Sequence, residues 1–466
     1  MKKNSATLQN LDGNQPTIIS SNFATPEHHR GLGRASALSR DMRMRQLQFI
    51  AVGWLVTTLS SGPSAVAVQP ASLSQGILGQ RFLLQINYDQ RNIGFNTSRS
   101  RIVTFRREGA ALQMLDVSDA QRSDPPRVLA TIPISRETPS TLDVDLNEAF
   151  NTLDREEDRT GEDYYGRIER HDGTAVRLFE RKALSVSYHG ATLVFDQEAR
   201  TNDGHQVVVH YYLSAYQPRA DFRRFEMKNL RRFGFYQTYP QWRSSGWVLY
   251  AMKFDIHEPI VFALSSDTPK QYRSAVRDGV LYWNRAFGRS VVRAIDAPPG
   301  VRAPNPDFNV IQWGSGAFAS TSYIQSDPLT GQILHAHIFI VPHTLADGDL
   351  DQQNDQLRYL AAHEVGHALG LRHNFASGGM TSVMDYFRRP QTLQVGSEIR
   401  AGTPSLAYDT AVVQHVYLGA PLDVDALPPF CTDSQQGCFP FRSAPKRSNA
   451  MRGNTSAGPA HASLRQ

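Results

Sequence analysis

The stretch HEVGHALGLRH, residues 363–373, places three histidines, a glutamate and a glycine within three helical turns' worth of chain. His363 and His367 are four apart, so on a helix both imidazoles leave the same face and can share one metal ion. Glu364 sits one residue round, placed to contact a water on that ion rather than the ion itself. Gly370 can take the left-handed conformation that ends a helix, and the reversed chain then brings His373 back as a third ligand. Three neutral ligands leave a fourth position open, the arrangement of a catalytic rather than a structural zinc. The two cysteines, Cys431 and Cys438, are too few and too isolated to build a thiolate site.

HExxH alone is often plain helix surface, and it is Gly370 with His373 that makes the metal reading specific. The full HExxHxxGxxH pattern resembles the signature of the metzincin clan of zinc peptidases. That clan also carries a methionine turn beneath the metal, and TSVMDYF supplies Met384 eleven residues after His373. The resemblance implies that Met384 packs as an apolar floor under the imidazoles without ligating. For Tyr386 it implies approach to the metal or stabilisation of the tetrahedral intermediate. It further implies that zinc activates a water, and that Glu364 takes that water's proton and passes it to the leaving amine. Asn374 stands after the third histidine, where the best-known metzincin families carry other residues. HEVGHALGLRHNF with SVMDY is instead similar to bacterial zinc-dependent metalloproteases that have long N-terminal β-rich regions. The fold expected is therefore α+β. It comprises a twisted mixed sheet with an antiparallel edge strand, a backing helix, the active-site helix and the Met-turn, preceded by a β-rich domain.

The elements that must position these residues fall within 246–425. NDQLRYLAAHEVGHALGL predicts the active-site helix, with Asp355 as N-cap and Leu357, Leu360, Ala361, Val365 and Ala368 as its apolar stripe. WVLYAMKFDI predicts a strand. SSDTPKQYRSAVRDGVLYWNRAFG predicts an amphipathic helix capped by Asp267 or Thr268, with Tyr272, Val276, Val280, Trp283 and Phe287 on one face. FNVIQWG (308–314) and QILHAHIFIV (332–341) predict two strands joined by a long polar loop, the second being the edge that could hold an extended peptide. YDTAVVQHVYLG, residues 408–419, predicts a late helix in which His415 is structural.

Upstream, residues 68–245 read as one β-rich domain without catalytic motifs, from runs such as FLLQINY, RIVTFRR, ALSVSYHGATLVF and HQVVVHYYLSAY. LNEAFNTLDREEDRTGEDYYGR reads as a helix end and loop. Residues 42–67 read as a signal peptide: Arg43 and Arg45, an apolar run from Leu47 to Leu59, Gly62-Pro63, then Ala65-Val66-Ala67. Residues 1–41 are then either a polar leader or a stretch ahead of the true start at Met42 or Met44. Export to the periplasm or outside the cell follows, with anchoring through residues 47–59 as the alternative. Cys431 and Cys438 fit a small disulfide loop within the 426–466 tail.

Weaker signals complete the reading. His335 and His337 alternate on a strand and are expected at the cleft or in solvent. Asp347, Asp349 and Asp351 hint at calcium, but the glycine and terminal glutamate of an EF-hand loop are missing, and a solvated loop fits them better. A formal charge of +5 on 466 residues argues against a nucleic-acid partner, and RADFRRFEMKNLRRF (219–233) reads as a solvated face over an aromatic stripe. No cysteine precedes the motif, which excludes cysteine-switch latency. The function expected is an exported zinc metalloendopeptidase, using one catalytic Zn2+ on a protein or peptide substrate. The alternatives are an exported zinc-binding scaffold or inactive homologue, and a zinc amidase acting on cell-wall peptides.

Overall fold

The computed structural model describes residues 71–432, apart from 91–93, 119–125, 155–174, 229–233, 239, 245, 315–319, 342–344, 346, 377–380, 387–390, 401–404 and 429. The leader and signal segments and Cys438 therefore lie outside the described residues, as does most of the acidic stretch.

The N-terminal half is built on strand alternation. Strands β1 (Ala71–Ser74), β2 (Arg81–Gln90), β3 (Gly94–Glu108), β4 (Ala111–Asp116), β5 (Arg127–Glu137), β6 (Thr141–Val144), β7 (Thr152–Asp154), β8 (Ala175–His189), β9 (Thr192–Thr201) and β10 (Gln206–Ala215) form one sheet. Its order is β1-β6-β5-β4-β3-β2-β10-β9-β8-β7, with every pair antiparallel. In β6, Leu142 and Val144 are buried while Thr141 and Asp143 are half-exposed, the two-residue period of a strand with one apolar face. The inward faces meet in a single core in which Phe150, Phe195 and Tyr211 stack at centroid separations of 4.3–5.9 Å. Among the described residues of the stretch read as a helix end and loop, Leu146–Glu148 form a 3-10 turn capped by Asp145, and β7 follows.

A second core is organised by a mixed sheet. Its strands are β13 (Lys253–Phe254), β14 (Ile260–Leu264), β15 (Val292–Asp296), β16 (Asn309–Trp313), β17 (Thr321–Ser326) and β18 (Gln332–Ile340); β11 (Gln241–Arg243) and β12 (Gly246–Val248) form a separate ribbon. The order β13-β18-β16-β14-β15 is parallel throughout, and β17 adds antiparallel to β18. Helices α1 (Lys270–Phe287), α2 (Leu350–Ala368), α3 (Gln391–Arg400) and α4 (Ala407–Leu418) complete the unit.

Several sequence expectations change here. The strand over 332–341 is not the edge: β18 is paired on both sides, and the edge is β17, which lies inside the expected polar loop. WVLYAMKFDI is not one strand, because the amides of Ala251 and Met252 bond to the carbonyls of Phe225 and Tyr236 and leave only β12 and β13. An interior strand is instead IVFAL in β14, between β16 and β15, a short run almost wholly buried, which shows no alternation because both its faces are covered. Neither Asp267 nor Thr268 caps α1, whose N-cap is Pro269. Asp267 accepts instead from Gln312 and Arg302. Asp349, not Asp355, caps α2 by accepting from the Gln352 amide at 2.9 Å, and Asp355 takes Arg358 and Ser397.

On β18, Ile333, Ala336, Ile338 and Ile340 point into the helical core. His335 and His337 point to the opposite face, which the N-terminal sheet covers near β17. There Gln325, paired with His335, donates to Asn87 at 2.9 Å in a buried contact, and the Tyr216 hydroxyl donates to Asp327 at 3.1 Å. His337 is therefore a buried residue, and half-buried His335 lines a pocket beside the N-terminal sheet, away from the three-histidine site; burial drives them down to about 3 and about 4 respectively.

Trp283, wholly buried on α1, locks that helix to α2 through its indole N–H, which donates to the Ala362 carbonyl at 2.9 Å. Trp283→Phe should lower unfolding free energy by about 1–3 kcal/mol through the lost bond and the lost ring volume. Urea denaturation checks this, and an unchanged midpoint would reject the helix-locking role.

Candidate metal centre

Helix α2 carries His363, Glu364 and His367 on a buried turn, at 5%, 4% and 7% exposure. It ends where the sequence placed its glycine. Gly370 has φ +96°, its amide bonds to the His367 carbonyl at 2.8 Å, and the Leu371 amide reaches back to Gly366 at 2.9 Å. This pair of bonds is a Schellman closure, and it reverses the chain toward the helix face it has just left. A side chain at 370 would also strike the Met252 carbonyl, since a Cβ there would lie 2.1 Å from that oxygen.

The reversal delivers His373. His367 Nε2 lies 3.1 Å from His363 Nε2 and 3.2 Å from His373 Nε2. The Nδ1 atoms of His363 and His367 face the carbonyls of Val383 and Leu371 at 2.7 and 2.8 Å. A carbonyl only accepts, so in the neutral rings each Nδ1 carries the hydrogen and each Nε2 presents a bare lone pair. Burial and the two neighbouring imidazoles hold His367 well below the usual histidine range, so it stays neutral. Lone pairs aimed at one another at this distance fit a cation between them, and the all-nitrogen donor set suits zinc. His363, His367 and His373 are thus the residues able to hold the ion.

The methionine stretch closes the site from below. Met384 is fully buried against α2, and a Cβ on Gly366 would lie 2.2 Å from its sulfur and 2.7 Å from Trp283. Gly366 was overlooked in the sequence, although a glycine inside a helix sacrifices stability and so marks a close approach. The Tyr386 ring stands 4.6 Å from that of His373, which also stacks on Phe375 at 5.0 Å. Asn374, fully buried, knits the turn: its amide donates to the Met384 carbonyl at 2.8 Å, and its side-chain oxygen accepts from the Cys431 amide at 3.1 Å.

Two contributors carried no signal in the sequence. The Tyr236 hydroxyl lies 3.3 Å from His367 Nδ1, brought there by backbone pairing of Phe235 with Leu371. Asp409 on α4 is fully buried and accepts from Tyr282 (2.6 Å), Ser382 (2.6 Å) and the Val383 amide (2.9 Å). It thereby fixes the residue whose carbonyl orients His363. Elsewhere, His415 bonds to the Ala420 carbonyl at 2.7 Å at the end of α4. Among the described residues, Asp347, Asp349 and Asp351 do not converge as a ligand group.

Burial pushes the Asp409 carboxyl up to about 6, although its three hydrogen bonds pull it down. The folded protein therefore holds this proton more tightly than an unfolded chain, whose aspartates titrate near about 3.9. The contribution of Asp409 is most favourable below about pH 4 and is lost as pH rises through about 6. Asp409→Asn should flatten the stability–pH curve between those values relative to the parent. It should also weaken zinc binding roughly tenfold in a chelator competition. Parallel pH curves and equal zinc affinity would show that the carboxylate does not support the turn.

A family model described as Met-zincin matches residues 348–423, the span from the start of α2 to just past α4. No curated protein and no solved structure matches the chain. Residues 348–423 are thus similar to the Met-zincin family, and the triad of His363, His367 and His373 fits the HExxH…H motif of the metzincins.

Proposed function

We propose that the protein is an exported zinc-dependent metalloendopeptidase. The observation that carries this reading is the buried Glu364 carboxylate, set on the same helical turn as His363 and His367, to which His373 is brought back by the turn at Gly370. Ligation alone has no use for that carboxylate, whereas peptide hydrolysis needs a base at this place.

Zinc held by His363, His367 and His373 supplies Lewis acidity, lowering the pKa of water and polarising a carbonyl. Glu364 accepts the proton of the attacking water and returns it to the departing amine. Tyr386, beside His373, donates its phenolic hydrogen toward the oxygen on which charge develops. Val383 and Leu371 keep two imidazoles in the tautomer that leaves Nε2 free. Strand β17 holds an extended substrate by main-chain pairing, since among the described residues no strand is bonded to its outer edge. Export is supported by the disulfide at Cys431, a bond that persists in oxidising compartments.

Casein or a peptide library, incubated with the full chain, should be cleaved in a phenanthroline-sensitive manner. Glu364→Ala should lose about 10²–10⁴-fold in rate while keeping its zinc. Tyr386→Phe should lower kcat by about 10²-fold with little change in KM. Cleavage that survives Glu364→Ala would sink the mechanism. Stoichiometric zinc with no cleavage by the parent would favour a scaffold instead.

A further inference from the structure

Away from the histidines, the end of α4 and the segment around β13 enclose a pocket of about 580 Å³. Its walls include Phe222, Arg223, Lys253, Asp255, Arg289 and Tyr417. Lys253 is only 4% exposed, yet its ammonium meets two aromatic faces rather than a carboxylate: 4.8 Å from the Phe222 ring centroid and 5.3 Å from that of Tyr417. Burial pulls its pKa down to about 8; the charge of Asp255 opposes this and that of Arg223 adds to it. Arg223 and Arg289 are exposed and, among the described residues, form no ion pair, nor does Lys253.

The acid nearest in sequence is already committed. One oxygen of Asp255 holds Arg219 at 2.7 Å, and the other takes the His257 backbone amide at 3.1 Å and its imidazole at 2.5 Å. A nearly buried ammonium that forms no ion pair is costly, and the more distant charge of Asp255 together with cation–π contacts to two rings offsets only part of that cost. Three cations thus face one pocket against a single carboxylate, Asp255, which is itself paired with Arg219, so positive charge stays in excess. A single carboxylate would neutralise one of them, whereas a dianion matches the excess better. The ring faces of Phe222 and Tyr417 supply an apolar wall beside the charged end.

We propose that this pocket binds a phosphate-class oxyanion, held by Lys253, Arg223 and Arg289, with any substituent on the phosphate resting against Phe222 and Tyr417. Nothing in the proposal requires the peptidase reading, because the pocket lies outside the histidine site and uses none of its residues.

The test is calorimetric titration of the full chain at low ionic strength with inorganic phosphate, phenyl phosphate and acetate. Phosphate should bind, acetate should bind far more weakly, and phenyl phosphate should bind tighter than phosphate. Arg223→Ala combined with Arg289→Ala changes only exposed side chains and should weaken phosphate by about tenfold or more with an unchanged melting temperature. Lys253→Met keeps the aliphatic stem on both rings and should abolish binding. No heat with phosphate up to about 10 mM, or equal affinity in the arginine double variant, would overturn the site. Acetate binding as well as phosphate would overturn the dianion assignment. Phenyl phosphate binding more weakly than phosphate would overturn the aromatic wall.

Discussion

Imidazole nitrogens that present bare lone pairs to one another, as the Nε2 atoms of His363 and His367 do at 3.1 Å, do not attract. Each lone pair repels the next, so the arrangement must be imposed from outside the rings. Here the imposition is a set of backbone carbonyls. Val383 and Leu371 each take an Nδ1 hydrogen, which fixes both the tautomer and the plane of the ring. Those carbonyls must themselves be held, and the rest of the half-molecule can be read as the means of holding them. The Schellman closure places Leu371, and Asp409, buried with three donors around it, places Val383. Met384 packs where Gly366 leaves room for its sulfur. Strain in the site is thus distributed over packing and main-chain bonds in several elements.

The mixed sheet gives that machinery a floor with two unlike faces. Aliphatic residues of β18 face the helices, and on the other face His335 lies beside the N-terminal sheet while His337 accepts from the Asn305 amide at 3.4 Å. The Gln325–Asn87 and Tyr216–Asp327 hydrogen bonds make this second contact polar. Such a contact fixes orientation through hydrogen-bond geometry more than through hydrophobic burial. The β-rich half therefore braces the sheet from the side away from the helices.

What could be read from the sequence was local. The spacing of His363, His367 and His373 and the glycine between them lie within eleven residues, and helix geometry alone predicts that they meet. Amphipathic α1 was legible for the same reason, because its stripe repeats at helical spacing. The misses are all long-range or all-buried. Tyr236 is 131 residues from His367, and Asp409 is 26 from Val383, so neither contact leaves a pattern in the chain. Strand β14 is apolar on both faces and so lacks the alternation that reveals strands. Strand β17 carries Thr, Ser, Tyr and Gln, which match a loop in composition while they pair with β18. The cap of α2 was displaced by six residues because Asp349 and Asp355 are equally plausible caps, and only the partners of Asp355, Arg358 and Ser397, decide between them.

The turn at Gly370 has one more implication. Its φ of +96° and the carbonyl of Met252 pressed against it leave room for hydrogen alone at that Cα. Position 370 offers no atom to an ion, yet tolerance to substitution there should be as narrow as at the histidines. In a map of which residues the site can spare, this glycine would be indistinguishable from a ligand. Counting donor atoms would then understate how many positions a metal centre of this kind ties down.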